Sequence, residues 1–244
     1  MNSSGWFLDS GNLKEIKKWL PVIGGVTTNQ LILFQQENVS NVPKHIEQMC
    51  KLVGPKIPIS VELPNSKANL QEMIGLAVKY HDMFPDNVVI KVPIIPDSTK
   101  GLKVLYRLAK KNIRTNATIG INTAQLVLAA EATRYYSGEG DNYISLFWGR
   151  AMESAVRGES QPPEKVLTTT INYLKNHNLN TKIIIGSVRQ SQQVINAFDL
   201  GADIVTVPPK ILENIMSTSR AKETLEQFDQ AYLNVKDNPK FKLI

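Results

Sequence analysis

The chain has few of the residues and segments that support disulfides, metal sites and membrane spans. Its 244 residues include one cysteine, Cys50, so no intramolecular disulfide is possible, and no His/Cys cluster has metal-ligand spacing. No apolar run approaches the roughly 20 residues of a membrane-spanning helix, and the N-terminus lacks the basic and apolar parts of a signal peptide. We therefore expect a soluble, cytoplasmic protein without a structural zinc and without a membrane partner.

Two further absences narrow the classes of function. The glycine-rich G-x-G-x-x-G loop of a dinucleotide-binding sheet is missing. The 28 Lys and Arg residues outnumber the 22 Asp and Glu residues and give a formal charge of +6. These basic residues are scattered, and no dense arginine run is interleaved with aromatic residues. We therefore expect no nucleic-acid partner, and the positive charge is compatible with small anionic ligands.

What the chain does contain is a regular alternation of short β-branched runs and segments with helical spacing. The eight predicted strands are 6–10, 24–29, 58–63, 87–93, 113–119, 142–148, 182–188 and 203–208. The predicted helical segments are 12–20, 68–84, 99–112, 122–136, 163–178 and 191–202. This alternation, without a Pro- or Gly-rich linker, predicts a single-domain (β/α)8 TIM barrel over 1–244. Residues 219–244 are surplus to the eight units and are predicted to form a C-terminal helix and tail, packed on the barrel or on a neighbouring subunit.

Polar side chains occur where seven consecutive predicted strands end. In a (β/α)8 barrel, the carboxyl ends of the strands form the rim that carries function. A single polar residue there only marks where a strand becomes a loop, whereas seven in a row, including a lysine and two carboxylates, indicate a site. The residues are Asp9, Asn29, Glu62, Lys91, Asn116 with Thr118, Ser145 and Ser187.

Lys91 is the most informative of these residues, because it ends a run of valine and isoleucine. Lysine is almost never fully buried unless it is paired, and burial favours its neutral amine. A neutral amine in a barrel mouth is a candidate Schiff-base nucleophile for a ketone or aldehyde. Imine formation and carbon–carbon cleavage also require proton transfer, for which Asp9 and Glu62 are the two candidate carboxylates.

Eight segments carry a resemblance to a known family. In chain order they are FLDSGNLKEI, GGVTTN, ISVEL, VVIKVP, TNATI, ISLFWGR, GSVR and GADIVTVPPKIL. They resemble the successive signatures of the transaldolase family, in particular its small subfamily, which also contains the fructose-6-phosphate aldolases. The resemblance extends from about residue 7 to about residue 230 and keeps the family's order throughout.

The resemblance implies roles for four catalytic residues. Lys91 would form the Schiff base with the C2 carbonyl of a ketose phosphate. Asp9 would take the proton of the C4 hydroxyl during cleavage and return it to the new aldol. Glu62 and Thr118 would hold the water that moves protons during dehydration of the carbinolamine. No metal or organic cofactor is implied.

The resemblance also implies two groups of substrate-binding residues. One group would bind the hydroxyls of a dihydroxyacetone unit, and the other would bind the phosphate of a phosphorylated sugar, for which guanidinium groups are well suited. The two groups are, in that order, Asn29, Asn116 and Ser145, and Arg150, Ser187 and Arg189. The subfamily commonly assembles into rings, so a homo-oligomer is expected, with a decamer as the implied size.

Two positions favour transfer over simple cleavage within this family. Transaldolases tend to carry Glu and Phe where fructose-6-phosphate aldolases carry Gln and Tyr, and this chain has Glu62 and Phe147. The resemblance therefore implies a transaldolase of the pentose phosphate pathway that uses fructose 6-phosphate or sedoheptulose 7-phosphate. A fructose-6-phosphate aldolase or another specialised sugar aldolase or transferase is the alternative. The third hypothesis is a non-catalytic barrel that acts as a scaffold.

Several residues depart from the family's pattern around the rim. Gln30 replaces the proline of the usual TTNP, and Leu146 replaces the proline of the usual SPF. Met152 and Glu153 occupy the region of the usual acidic pair, and the segment 138–142 is longer than the family's short turn. These departures bear on which sugar is used rather than on the type of reaction.

Overall fold

The predicted barrel is confirmed in the computed structural model, which describes residues 5–96, 98–238 and 242. Eight parallel strands pair in chain order, and the last pairs with the first to close the barrel. The strands are β1 Trp6–Asp9, β2 Gly25–Thr27, β3 Ile59–Glu62, β4 Val88–Pro93, β5 Thr115–Gly120, β6 Asn142–Phe147, β7 Thr181–Gly186 and β8 Ile204–Val207. Each predicted strand overlaps one observed strand, although β5 runs one residue past its predicted end, to Gly120, and β7 starts one residue before its predicted start, at Thr181.

Helices surround the barrel, and a π-helical segment, Leu31–Gln36, follows β2. The helices in the described residues are α1 Leu13–Trp19, α2 Val42–Val53, α3 Leu70–Met83, α4 Lys100–Ala109, α5 Thr123–Thr133, α6 Trp148–Val156, α7 Pro163–Asn176, α8 Ser191–Asp199, α9 Pro209–Met216 and α10 Ser219–Val235. The predicted helical segments did not include α2, α6, α9 or the π-helical segment. Trp148, predicted to end a strand, begins α6 instead. Over the described ranges, no helix combines the length and apolarity that a bilayer span requires.

Asparagine side chains start several of the helices that follow the strands. Asn12 accepts hydrogen bonds from the backbone N–H groups of Lys14 and Glu15 at the start of α1. Asn69 and Glu72 form a reciprocal capping box at the start of α3, and Asn122 does the same with Gln125 in α5. These caps satisfy backbone donors that have no partner inside a helix, so they fix where each helix begins.

The inside of the barrel has two layers, because alternate side chains of a strand point to the same face. Towards the amino ends of the strands lies an apolar cluster, here called the lower layer: Phe7, Val89, Tyr143, Ile184 and Ile204. Two residues further along the same strands or their neighbours lies a polar set, here called the upper layer: Asp9, Thr27, Lys91, Ser145 and Thr206. The lower layer closes the barrel beneath the upper layer.

Phe7 fills the axis of the lower layer. Its ring meets Tyr143 edge-on, with the ring centroids 6.0 Å apart. Gly25 on β2 makes room for it, since a Cβ at that position would lie only 2.4 Å from the Phe7 ring. The absence of a side chain at Gly25 therefore allows one large ring to close the lower part of the barrel.

None of the residues of the C-terminal helix α10 is buried. Its apolar side chains Leu225, Phe228 and Leu233 are 60%, 67% and 49% exposed. Residues 239–241, 243 and 244 of the predicted tail lie outside the described residues. Packing of α10 on a neighbouring subunit remains a prediction.

Candidate active site

A cavity of about 210 Å³ opens at the carboxyl ends of the strands. Seven of the residues predicted for a site line it, together with four that were not predicted. The predicted ones are Asp9, Asn29, Lys91, Ser145, Phe147, Arg150 and Ser187, and the others are Thr27, Leu31, Gly186 and Thr206. The remaining predicted residues, Glu62, Asn116, Thr118 and Arg189, do not line the cavity. Glu62 contacts Lys91 and Asn116 contacts Ser145, both of which line the cavity. Arg189 shares the carboxylate of Glu153 with the cavity residue Arg150.

Lys91 lies on β4 with its side chain almost entirely buried, at 5% exposure. Its Nζ is 3.0 Å from Oε2 of Glu62, the residue beside it on β3, and donates a hydrogen bond of 3.0 Å to the carbonyl oxygen of Thr28. The ring of Phe147 lies 5.8 Å from Nζ, measured to its centroid. The Nζ of Lys91 thus has the Glu62 carboxylate within direct reach, and that carboxylate can accept a proton from it.

Asp9 faces Lys91 across the upper layer and belongs to the end of β1. The Oγ1 of Thr27 donates a hydrogen bond of 2.7 Å to Asp9 Oδ1. Burial raises the pKa of Asp9 above its usual range, the positive charge of Lys91 and the hydrogen bond from Thr27 oppose the rise, and the negative charge of Glu62 adds to it. A carboxylate whose pKa moves towards neutrality is suited to both taking and returning a proton.

A polar chain crosses from β6 to β3 behind the cavity wall. Ser145 Oγ donates a hydrogen bond of 2.7 Å to Asn116 Oδ1, and Asn116 Nδ2 donates one of 3.1 Å to Ser60 Oγ. Asn116 itself is fully buried. It therefore orients Ser145, which lines the cavity. Ser60 also belongs to this network and was not predicted from the sequence.

Thr118 lies at a bulge of β5. The register with β6 shifts between Ala117 and Gly120, and Ile119 takes a φ of 67°, which is unusual for a β-branched residue. The Oγ1 of Thr118 is buried and has no hydrogen-bond partner among the described residues. A buried hydroxyl without a partner is rare in proteins and suits the binding of a water or a substrate hydroxyl.

The two predicted phosphate-binding arginines are joined by a carboxylate. Glu153 on α6 contacts Arg189 Nη2 at 2.5 Å and Arg150 Nη1 at 3.0 Å. These contacts lower the pKa of Glu153, and Arg189 has the larger effect. Gly149 permits the arrangement, because its N–H donates to the Ser187 carbonyl oxygen at 3.1 Å and a Cβ there would lie 2.8 Å from Arg189 Nε.

The loop after β2 contains the departure from the family's TTNP pattern. Gln30 Nε2 donates a hydrogen bond of 2.9 Å to the carbonyl oxygen of Leu63 and so ties the end of β2 to the end of β3. Asn29 Oδ1 accepts a hydrogen bond of 3.0 Å from the N–H of Ile32 at the start of the π-helical segment. Leu31, on that segment, is 59% exposed and lines the cavity.

Strand alternation could have identified two of the missed cavity residues. Thr27 lies two residues before Asn29, and Thr206 lies two residues after Ile204 in an apolar run, so both point inward. The residues predicted from the sequence lie at or near the ends of the first seven strands, with Asn29 as the candidate on β2, and so included neither threonine. Leu31 gave no such signal, because its place at the cavity depends on the π-helical segment.

The fold and the cavity together define a class: a (β/α)8 barrel whose interior carries a buried lysine that contacts one carboxylate, Glu62, and acts electrostatically on a second, Asp9. A model of the transaldolase/fructose-6-phosphate aldolase family matches residues 6–242. The chain therefore belongs to that family of aldolase and transaldolase enzymes, as the sequence motifs predicted.

Curated relatives agree with the family model. A probable transaldolase from Thermoplasma volcanium is 32% identical over 238 residues, covering 96% of this chain and 98% of the relative. Probable transaldolases from Petrotoga mobilis and Thermoplasma acidophilum are each 32% identical, over 240 and 241 residues. For Petrotoga mobilis the match covers 95% of this chain and 99% of the relative, and for Thermoplasma acidophilum 98% of both.

Solved structures of distant barrels show the same fold. A putative dihydrodipicolinate synthase family protein from Coccidioides immitis superposes with a TM-score of 0.54 at 11% identity, covering 84% of this chain and 66% of that one. A mandelate oxidase variant superposes with a TM-score of 0.53, also at 11% identity, over 85% of this chain and 64% of its own. At this identity the similarity concerns the barrel architecture and not the reaction.

Proposed function

We propose that this protein is a transaldolase that moves a dihydroxyacetone unit from a ketose phosphate to an aldose phosphate through a Schiff base on Lys91. The donors are fructose 6-phosphate or sedoheptulose 7-phosphate, as in the pentose phosphate pathway. The observation that carries the proposal is the buried Lys91, whose Nζ lies 3.0 Å from the Glu62 carboxylate inside the barrel mouth. The proposed steps need no metal or organic cofactor.

Glu62 prepares Lys91 for attack. An ammonium cannot attack a carbonyl, so a proton must first leave Nζ, and Glu62 Oε2 is within direct reach of it. The neutral amine then adds to the C2 carbonyl of the ketose and gives a carbinolamine, which loses water to form the iminium. Glu62 and the unpartnered hydroxyl of Thr118 are suited to hold the water that carries these protons.

Asp9 performs the carbon–carbon chemistry. Its carboxylate takes the proton of the C4 hydroxyl, and the C3–C4 bond breaks. An aldose phosphate leaves, and the electron pair of the broken bond stays on C3 as part of the enamine on Lys91. In the second half, the enamine carbon attacks the aldehyde of the acceptor, and Asp9 returns its proton to the new hydroxyl. The raised pKa of Asp9, caused mainly by burial, supports this double role.

Substrate recognition follows from the rest of the rim. Ser145, oriented by Asn116, and the amide of Asn29 are proposed to bind hydroxyls of the dihydroxyacetone unit, since both residues line the cavity. Arg150 and Arg189 are proposed to bind the phosphate together with Ser187, which lies two residues before Arg189 and lines the cavity. Each guanidinium has five N–H donors and Glu153 occupies only part of them, so donors remain for phosphate oxygens.

Phe147 favours transfer over hydrolysis of the enamine. Its ring lies 5.8 Å from Lys91 Nζ and presents no proton donor to that side of the cavity. An enamine that is not protonated persists until an acceptor aldehyde arrives. A fructose-6-phosphate aldolase is the competing function, and it requires a proton source at this place.

Two measurements test the proposal. Fructose 6-phosphate is supplied with and without erythrose 4-phosphate, and we expect sedoheptulose 7-phosphate only with the acceptor. Free dihydroxyacetone in its absence would favour the aldolase instead. Borohydride reduction in the presence of fructose 6-phosphate, followed by peptide mass analysis, should label Lys91. A protein that shows neither product nor adduct would be a non-catalytic barrel.

We also propose that the protein is a homo-oligomer, as large as a decamer, in which α10 packs on a neighbouring subunit. Leu225 and Phe228 lie three residues apart on α10, so they share a face, and both are exposed. Such a face is typical of a helix with a partner. Light scattering after gel filtration should give a multimeric mass that Phe228→Glu lowers, while Glu226→Gln leaves it unchanged. A monomeric mass for the unaltered chain would contradict the proposal.

A further inference from the structure

The interior of the barrel contains a chain of hydroxyl groups that ends on Asp9. Thr27 Oγ1 lies 2.7 Å from Asp9 Oδ1 and 2.6 Å from Thr206 Oγ1. Thr27 and Thr206 are both buried, at 2% and 5% exposure, and both line the cavity. The proposed roles of the site residues do not account for either threonine.

The chemistry of the three groups fixes the direction of this chain. An ionised carboxylate only accepts hydrogen bonds, so the single hydroxyl proton of Thr27 is donated to Asp9. The oxygen of Thr27 is then an acceptor towards its other neighbour, and Thr206 is the donor. The direction runs from Thr206 through Thr27 to Asp9, and each bond polarises the next.

We propose that Thr206 is a positioning residue for Asp9 and acts through Thr27, so that Oδ1 stays occupied and Oδ2 is the oxygen that exchanges protons with the substrate. This inference rests on the proposed role of Asp9. Among the described residues, Oδ1 is the Asp9 oxygen that accepts a side-chain hydrogen bond. A carboxylate with one oxygen held in this way cannot rotate freely, so its other oxygen keeps one orientation towards the cavity.

Barrel closure brings the three residues together. Asp9 and Thr27 are register partners on β1 and β2, and β8 pairs with β1 on the other side, with Phe7 opposite Thr206. The charged groups that act on Asp9 are Lys91 on β4, which lowers its pKa, and Glu62 on β3, which raises it. The two threonines come from β2 and β8, so their effect is separable from that of either charge.

The test compares Thr206→Val, which keeps the shape but removes the hydroxyl, with Thr206→Ser, which restores it. Thr170→Val on α7 is the matched control, because Thr170 is also fully buried but donates to a helix carbonyl away from the cavity. We expect Thr206→Val to reduce kcat about threefold to tenfold, the effect of one neutral hydrogen bond. We also expect the acid limb of its kcat/KM profile to move to higher pH, and Thr206→Ser and Thr170→Val to follow the unaltered enzyme.

A double variant tests whether Thr206 acts through Thr27. Once Thr27→Val has removed the intermediate hydroxyl, adding Thr206→Val should change kcat and the acid limb little further. Independent, additive effects would overturn the inference, as would a Thr206→Val profile identical to that of Thr170→Val. Thermal unfolding of each variant shows whether a loss of activity reflects a loss of fold.

A readout that does not depend on turnover separates this inference from the proposed function. Carbon-13 NMR of a sample labelled at the aspartate carboxyl carbons follows the titration of Asp9, assigned by comparison with Asp9→Asn. Thr206→Val should raise the pKa of Asp9, since the hydrogen bond that favours its charged form is weakened. An unchanged titration of Asp9 would overturn the proposed role of Thr206, even in an active enzyme. Conversely, a shifted titration in a protein that forms no Lys91 adduct would support the role of Thr206 and refute the proposed transaldolase function.

Discussion

The two layers inside the barrel share the strands β1, β4, β6 and β8 and have opposite chemistry. The lower layer, with Phe7 at its centre, is apolar and tightly packed, whereas the upper layer two residues further on carries Lys91, Asp9 and two threonines. The lower layer stabilises the barrel by removing apolar area from water. The upper layer contains buried charges that do not favour folding by themselves. The difference indicates that stability and chemistry are assigned to inward positions two residues apart on the strands that contribute to both layers.

The largest expected effect comes from removing the amine of the upper layer. Lys91→Met should abolish transfer and borohydride labelling, because no other nucleophile is proposed in the cavity. The exposed Lys103 on α4 provides the control, and Lys103→Met should keep both the transfer activity and the borohydride labelling of Lys91. The measurement is a coupled transfer assay with circular dichroism to verify the fold. Transfer by Lys91→Met above the buffer blank would show that the upper layer does not act through this residue.

Asp9→Asn should separate activity from stability in the upper layer. We expect a loss of about 10²–10⁴-fold in kcat, the usual contribution of general acid–base catalysis. The folded pKa of Asp9 is raised, so the folded state binds more protons than the unfolded state between the usual pKa and the raised one, and its stability falls as pH rises through that window. Asp9→Asn should therefore be more stable than the unaltered protein at pH 7, with the difference shrinking as pH falls towards the usual aspartate range. Urea unfolding at pH 7 and at a pH within the usual aspartate range tests this expectation. An Asp9→Asn protein that is less stable than the unaltered protein at pH 7 would contradict it.

In the lower layer the expected effect is on stability. Phe7→Ala should lower the free energy of unfolding by about 3–5 kcal/mol, the usual result of removing a buried aromatic ring. The residues of the upper layer are not altered, so the folded fraction should still form the Lys91 adduct. Urea unfolding and borohydride trapping on the same sample make the comparison. Full stability together with lost adduct formation would reverse the assignment of the two layers.

A smaller effect is expected at Gly25. Gly25→Ala places a Cβ against the Phe7 ring and should cost about 1–3 kcal/mol through overpacking. Combining it with Phe7→Leu should recover part of this loss, because the smaller side chain leaves space for the new methyl group. Thermal unfolding of the two single variants and the double variant gives the coupling. Strictly additive losses would mean that the two residues do not compete for the same volume.

Much of this architecture could be predicted locally. The β-branched runs and the helical spacing predicted all eight strands and six of the helices that follow them, since periodicity is a property of neighbouring residues. The helices α2, α6 and α9 and the π-helical segment were missed. The start of α6 at Trp148 was read as the end of a strand, because an apolar residue fits both patterns.

The candidate site was predicted in part. Lys91 was singled out from its apolar run, and its contact with Glu62 follows from the pairing of β3 with β4. The joining of Arg150 to Arg189 by Glu153 was not predicted, because the two arginines lie on different βα units and no sequence pattern relates them.

The sequence alone determined the number of strands and their succession along the chain, the alternation of inward and outward residues and the lysine that the family motifs share, because these depend on short-range periodicity and residue type. Only the tertiary structure decided which polar groups meet. Thr27 and Thr206 are 179 residues apart in the chain, yet their hydroxyl oxygens are 2.6 Å apart. Closure of β8 onto β1 creates that contact beside Asp9, and closure is a property of all eight strands together.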